Sequence, residues 1–215
     1  MNFSENTISV LKNFSQINPS ILFKQGSVLR TISPQKTVMA AANIEETIPS
    51  DAGVYDVSRF LATLSLFDKP DVDFETGQFE IKDEKSALKY TYTAENMIVA
   101  PPQKDIVVPN PVATIDLGWK TLKRVRDAAG VLGLPEVGFS CEGGDVMISA
   151  VDGKNPTSDN FSVNVDSGTS FADFNMIIKT DYLKLLENDY TVVLSNGMAH
   201  FQADQVQYWI AVESR

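Results

Sequence analysis

The chain repeats one pattern four times. A short stretch with helical hydrophobic spacing leads into two or more strand-like runs, and a proline-rich segment parts the second repeat from the third. The first helical stretch covers about residues 5–16, with Val10, Leu11, Phe14 and Ile17 on one side. It leads into SILFKQGSVLRTIS and TVMAAANIE, strand-like runs broken at Gly26 and Pro34. The second is YDVSRFLATLSLF, with Asp56 as cap and Val57, Phe60, Leu61, Leu64 and Phe67 at helical spacing; DVDFETGQFEIK and SALKYTYTA follow it. The third, GWKTLKRVRDAAG, precedes VGFSCEGGDVMISAVDG, a hairpin turning at Gly143-Gly144. The fourth, KTDYLKLLEN with Thr180 as cap, precedes YTVVLSNGMAHFQAD and VQYWIAVES, where Asn196-Gly197 is a strong hairpin signal. Between the halves lies APPQKDIVVPNPV, residues 100–112, with four prolines and no helical period. The expected fold is therefore α+β: two similar domains, 1–105 and 106–215, each built twice from a helix and antiparallel strands.

Composition narrows what such a chain can do. At 215 residues with 43% apolar and 21% charged content, it can build a sizeable core in one or two domains. No window approaches 18 consecutive apolar residues, so no membrane span is expected. The start, MNFSENTISVLKNF, lacks the basic-then-apolar layout of a signal peptide. A lone cysteine, Cys141, allows no internal disulfide and fits a reducing cytoplasm. Without secretion, the glycosylation patterns at Asn13-Phe14-Ser15 and Asn160-Phe161-Ser162 carry nothing.

Charge gives the sharper clue. The chain holds 18 basic and 28 acidic residues, a net of −10, which opposes non-specific wrapping of nucleic acid. Yet Lys120, Lys123, Arg124 and Arg126 gather in one helical stretch. On a helical wheel, Leu122, Val125, Ala129 and Leu132 form its apolar stripe; Lys120, Lys123 and Arg124 point the other way with Asp127, and Arg126 lies on the flank. The other helices repeat this thinly. Lys12 opposes the first stripe beside Ser9, Asn13 and Gln16; Arg59 lies away from the second, and Lys184 opposes the fourth. Each face alone reads equally as a solvated surface. Four such faces, neutral or basic on balance, in so acidic a chain point to one local basic surface.

These segments resemble the DNA polymerase sliding clamps (processivity factors) of T4-like bacteriophages. The resemblance rests on TISVLKNFSQINPSILFKQGS, GVYDVSRFLATLSLF, MIVAPPQKDIVVPNPVA and YTVVLSNGMAHFQADQVQYWIAVES, and it spans essentially the whole chain. It implies a DNA clamp fold, with paired helices on one face of curved antiparallel sheets. Three subunits would close head to tail into a homotrimer whose twelve helices line a hole for duplex DNA. Such a ring, in the cytoplasm of the infected bacterial host, tethers the replicative polymerase through its C-terminal tail. A clamp-loader ATPase places it, and late-transcription factors also use it. A clamp must slide, so sparse cations that screen phosphates without reading bases suit it, and an acidic outside discourages adhesion. Lys12, Arg59, Lys120, Lys123, Arg124, Arg126 and Lys184 are then the candidate DNA-binding residues.

Ring closure needs an unpaired edge strand from each half. SALKYTYTA (86–94) and NFSVNV (160–165) are the candidates, with Tyr90 and Phe161 placed to pack across the joint, although ordinary internal strands would look the same. The polymerase tail would dock in an apolar pocket near the connector, around Val107, Val108, Ile210 and Val212; the two connector valines could also simply tuck onto the sheet. No catalytic or metal site and no cofactor is expected. His200 is the only histidine, Cys141 reads as a core residue, and no G-x-x-x-x-G-K-[ST] loop occurs. DVDFE (71–75) reads as a half-exposed strand without carboxylate-ligand spacing. A β-rich, acidic, ring-forming virion component, such as a tail-tube or baseplate protein, is the alternative; basic helix faces have no role there.

Overall fold

The computed structural model describes residues 1–104, 106–155 and 157–214. Two compact units divide the chain, Met1–Lys104 and Asp105–Arg215. Position 105, inside the expected linker, lies outside the described residues.

In the first unit, α1 (Glu5–Ile17) is followed by β1 (Ile21–Phe23), β2 (Gly26–Ile32), β3 (Val38–Ile48) and β4 (Ala52–Val54). Then come α2 (Val57–Leu64), β5 (Asp71–Glu75), β6 (Gln78–Lys82), β7 (Ala87–Thr91) and a 3-10 turn at Glu95–Met97. β1 pairs with β4, β2 with β3, and β5-β6-β7 form an antiparallel meander. Helix α1 packs on β2, β3 and α2. Ser4 caps α1 by accepting the amide of Thr7, and the Glu46 carboxylate on β3 takes the Ser4 amide and the Thr7 hydroxyl, so the helix start is stapled to the sheet. Asp56 caps α2 through the amide of Arg59 at 2.9 Å. Phe23, Phe60 and Phe79 are fully buried between helices and sheets, with Phe60 and Phe79 centroids 5.0 Å apart.

The second unit begins with β8 (Pro111–Leu117), so the last two residues of the expected linker are already strand. Proline opens this outermost strand, where no ladder amide is needed from it. Then come α3 (Trp119–Leu132), β9 (Glu136–Glu142), β10 (Asp145–Val151), β11 (Phe161–Asp166), β12 (Phe174–Lys179), a 3-10 turn at Thr180–Tyr182, β13 (Tyr190–Ser195), β14 (Met198–Gln202), β15 (Val206–Ala211) and β16 (Glu213–Ser214). One sheet runs β11-β10-β9-β12-β16, and β15-β14-β13-β8 form an antiparallel run. The β9–β10 and β13–β14 hairpins turn at Gly143-Gly144 and Asn196-Gly197, with Gly143, Gly144 and Gly197 all at positive φ. Helix α3 lies on β9, β10 and β11 and buries Leu122, Val125 and Ala129. Gly133, at φ +66°, ends it, so Leu132 falls at the frayed edge and is 41% exposed rather than part of the stripe.

The expected fourth helix is absent. After the single 3-10 turn the chain is irregular, burying Leu183 and Leu185 and exposing Lys184 between them. The backbone of Leu186 explains why. Its amide donates to the Tyr208 hydroxyl at 3.1 Å, and its carbonyl accepts the Tyr190 hydroxyl at 2.6 Å, so both groups a helix would use are taken. Burial raises the pKa of both tyrosine hydroxyls, so both are neutral here, Tyr190 donating and Tyr208 accepting. Thr180 is likewise no cap; its amide and hydroxyl reach back to Pro135 and Leu134.

Candidate nucleic-acid interface

Helix α3 can start at Gly118 only with outside help, because glycine has no capping side chain. Asp189, from the segment before β13, accepts the amide of Trp119 at 2.7 Å and places a carboxylate at the helix N-terminus. The helix so positioned buries its apolar stripe on the sheet and turns Lys120, Lys123 and Arg124 to solvent. The three are not equivalent. The Lys123 ammonium pairs with Asp127 one turn on, at 2.5 Å, which offsets part of the local charge. The Arg124 guanidinium lies over the ring of Phe161, 5.6 Å from its centroid. Lys120 extends from the first turn, exposed.

Arg126 lies on the flank of the helix, where the wheel puts it. It is half-buried, 5.8 Å over the Trp119 ring, and desolvation lowers its pKa from the ordinary arginine value, only partly opposed by Asp127 and Tyr190. Its stem and plane are spent on packing. Lys184 is exposed, but on an irregular segment, so the helix-face argument for it fails. In the first unit Lys12 and Arg59 are exposed on α1 and α2, which pack together. Asn13, expected beside Lys12 on the polar face, is buried.

The two strands singled out as edges are outer strands of their sheets: β7 ends β5-β6-β7 and β11 ends the five-stranded sheet. Their aromatics, however, turn inward. Tyr90 sits edge-on to Phe60 at 5.4 Å, and its hydroxyl reaches the Asp56 carbonyl at 3.4 Å. Phe161 is half-buried beneath Arg124. Both rings are thus engaged within their own unit and only half-buried there.

The four aliphatic residues placed near the connector do not form one lining. Val107 is 84% exposed, whereas Ile210 is fully buried and Val212 nearly so. Ile210 follows Tyr208 into the core; Trp209 faces the connector instead. The Trp209 indole N–H donates to the carbonyl of Ile106 at 3.1 Å, and its ring stacks on His200, 4.7 Å and 6° away. His200 Nε2 is 3.0 Å from Gln207 Oε1, and burial lowers the His200 pKa against the opposing effect of Gln207. Trp209 and Asp189 are the residues that sequence reasoning missed. Both act on partners about 70 or more positions away, so local pattern carried no signal for them.

Among the described residues no group of three or more His, Cys, Asp or Glu could hold a metal ion, and no helix is long and apolar enough to cross a membrane. Cys141 is buried.

Comparison with known proteins matches residues 4–100 to the family described as DNA polymerase processivity factor, and residues 114–214 to gp45 sliding clamp, C terminal. The sliding clamp of Vibrio phage KVP40 is 29% identical over the whole of both chains. That of Escherichia phage RB69 is 28% identical over all of this chain and 97% of its own. In structure, PCNA from Thermococcus kodakaraensis superposes with a TM-score of 0.70, covering 98% of each chain at 16% identity, which establishes the DNA clamp fold. None of these relatives is a virion component, and the tail-tube or baseplate alternative has no support. With both of its halves matched in order, the chain belongs to the sliding-clamp family of DNA polymerase processivity factors of T4-like phages.

Proposed function

We propose that this chain closes, as a homotrimer, into a ring that encircles duplex DNA and holds the replicative polymerase on its template. The observation that carries this reading is the outward basic face of α3 in a chain of net −10 that has the clamp fold. Lys120 and Lys123 screen phosphates there without base contacts, with Lys12 and Arg59 supplying the same service from α1 and α2. The outer strands β7 and β11 join head to tail between neighbouring copies, since unpaired edges of five and six residues suit strand addition. The C-terminal tail of the phage polymerase docks near the connector at Val107 and Val108. A clamp-loader ATPase opens and places the ring, and late-transcription factors use it in the cytoplasm of the infected host. The chain itself performs no catalysis.

The test is retention by topology. Loaded with its loader and ATP onto nicked circular duplex, the protein should remain bound and then leave quickly once the circle is cut. Binding by phosphate attraction alone would be equal on circles and linear DNA. It would also fall with log salt by about 0.9 per neutralised phosphate. That pattern would rule encirclement out.

A further inference from the structure

Arg124 makes a contact that neither Lys120 nor Lys123 makes. Its guanidinium lies 5.6 Å from the centroid of Phe161, the first residue of β11. Phe161 is the last rung of the β10–β11 ladder, opposite Ala150, and β11 begins there. A terminal rung is where a strand frays first. β11 is also an outer strand, held by β10 on one side only. The arginine therefore presses on the least supported point of the strand that the ring reading assigns to the joint.

We propose that Arg124 is a positioning residue for ring closure, holding the start of β11 against α3 so that a second copy of this chain meets an ordered edge. The proposal rests on the ring reading and divides the basic face into two jobs. Lys120 and Lys123 supply charge to the hole; Arg124 prepares the joint. The physical basis is preorganisation, because a strand already ordered loses less freedom when another strand is added to it. The planar guanidinium matters here more than its charge. An arginine covers an aromatic face by stacking as well as by charge, which a lysine ammonium cannot reproduce. Arg126 lies in the same way over Trp119, the first residue of its own helix, and so touches nothing on β11.

The experiment compares full-length wild type, Arg124→Lys, Arg124→Gln and Lys120→Gln in a dilution series followed by sedimentation velocity. Arg124→Lys keeps the charge and loses the planar guanidinium over Phe161; Lys120→Gln loses the same charge from the same helix without touching Phe161. Arg124→Lys and Arg124→Gln should each raise the trimer's dissociation midpoint roughly two- to fivefold, the range expected of one exposed cation–π contact. Lys120→Gln should dissociate like wild type. Hydrogen exchange at Phe161–Val163 should quicken in the Arg124 variants, with thermal unfolding of the subunit unchanged. If both Arg124 variants dissociate with wild type, the proposal is overturned and the ring reading stands. If Arg124→Lys dissociates like wild type while Arg124→Gln and Lys120→Gln are weakened alike, charge and not the guanidinium plane sets closure, which also overturns it. A wild type that never trimerises would remove the ring reading itself.

Discussion

Trp209 holds the carbonyl of Ile106 through its indole N–H at 3.1 Å, while its ring is stacked flat against His200. The connector is thus tied to β15 one residue before Val107, the most exposed of the aliphatic residues placed there. Replacing Trp209 by Phe keeps a ring for His200 and removes the donor. That change should cost about 1 kcal/mol in thermal or denaturant unfolding. Amide exchange at Val107 and Val108 should accelerate, as mass spectrometry can measure. Exchange unchanged from wild type would show that something else holds the connector.

Glu46 predicts a pH dependence. Burial tends to raise its pKa, but the hydrogen bonds from Thr7 and Ser4 outweigh that, and the net shift is downward from 4.5. A carboxylate with a depressed folded pKa contributes stability that is complete above its unfolded value and is lost as the pH falls through the folded one. Glu46→Gln should therefore lower stability by about 1 kcal/mol near neutrality, comparable to losing a helix cap. The difference from wild type should shrink as the pH drops below 4.5. Chemical denaturation at several pH values reads this directly, and a constant gap across the range would contradict it.

Charge reversal tests the DNA-facing surface. Lys120→Glu with Lys123→Glu, two reversals of two units each, changes each subunit by four charges. Both side chains are exposed, so folding should change by no more than about 0.5 kcal/mol per site. Loading and primer-extension length should fall sharply, because the duplex would pass a repulsive wall. Lys85→Glu is the fitting control, being exposed in the β6–β7 turn. Lys82 is unsuitable, because it pairs with Asp73 at 2.6 Å. A double variant that folds, trimerises and extends primers normally would leave α3 as an ordinary solvated face.

Gly53 is a packing requirement. A Cβ there would lie 2.2 Å from the carbonyl oxygen of Thr93, a backbone atom that has little room to yield. The carbonyl of Gly53 also accepts the Thr93 amide at 2.9 Å, tying β4 to the segment after β7. Gly53→Ala should destabilise the first unit by about 1–3 kcal/mol, as overpacking does. Near-UV circular dichroism and thermal melting would detect it, and an unchanged melting temperature would mean that this contact relaxes freely.

Where pattern is local, the sequence already carried the structure. The Asp56 cap, the Gly143-Gly144 and Asn196-Gly197 turns and the apolar spacing of Leu122, Val125 and Ala129 each depend on neighbours a few residues away. Long-range partners defeated it. KTDYLKLLEN has helical spacing, yet two tyrosine hydroxyls from β13 and β15 capture the backbone of Leu186. In VQYWIAV the large residues on both faces of β15, Tyr208 and Ile210 on one and Trp209 on the other, are buried, so alternation no longer says which side chain meets the core. Ile210 was for that reason indistinguishable from Trp209 as a connector contact. Of the basic residues, the wheel found Lys120, Lys123 and Arg124, but it could not foresee that Trp119 would draw Arg126 inward.

The single 3-10 turn at Thr180–Tyr182, where the first unit has the helix α2, makes the two halves of the chain unequal. A ring of three such copies would have two kinds of sector, three of each, in place of six alike. A partner able to tell a two-helix sector from a one-helix sector then finds three equivalent berths, and the valency of the ring for any such partner is three.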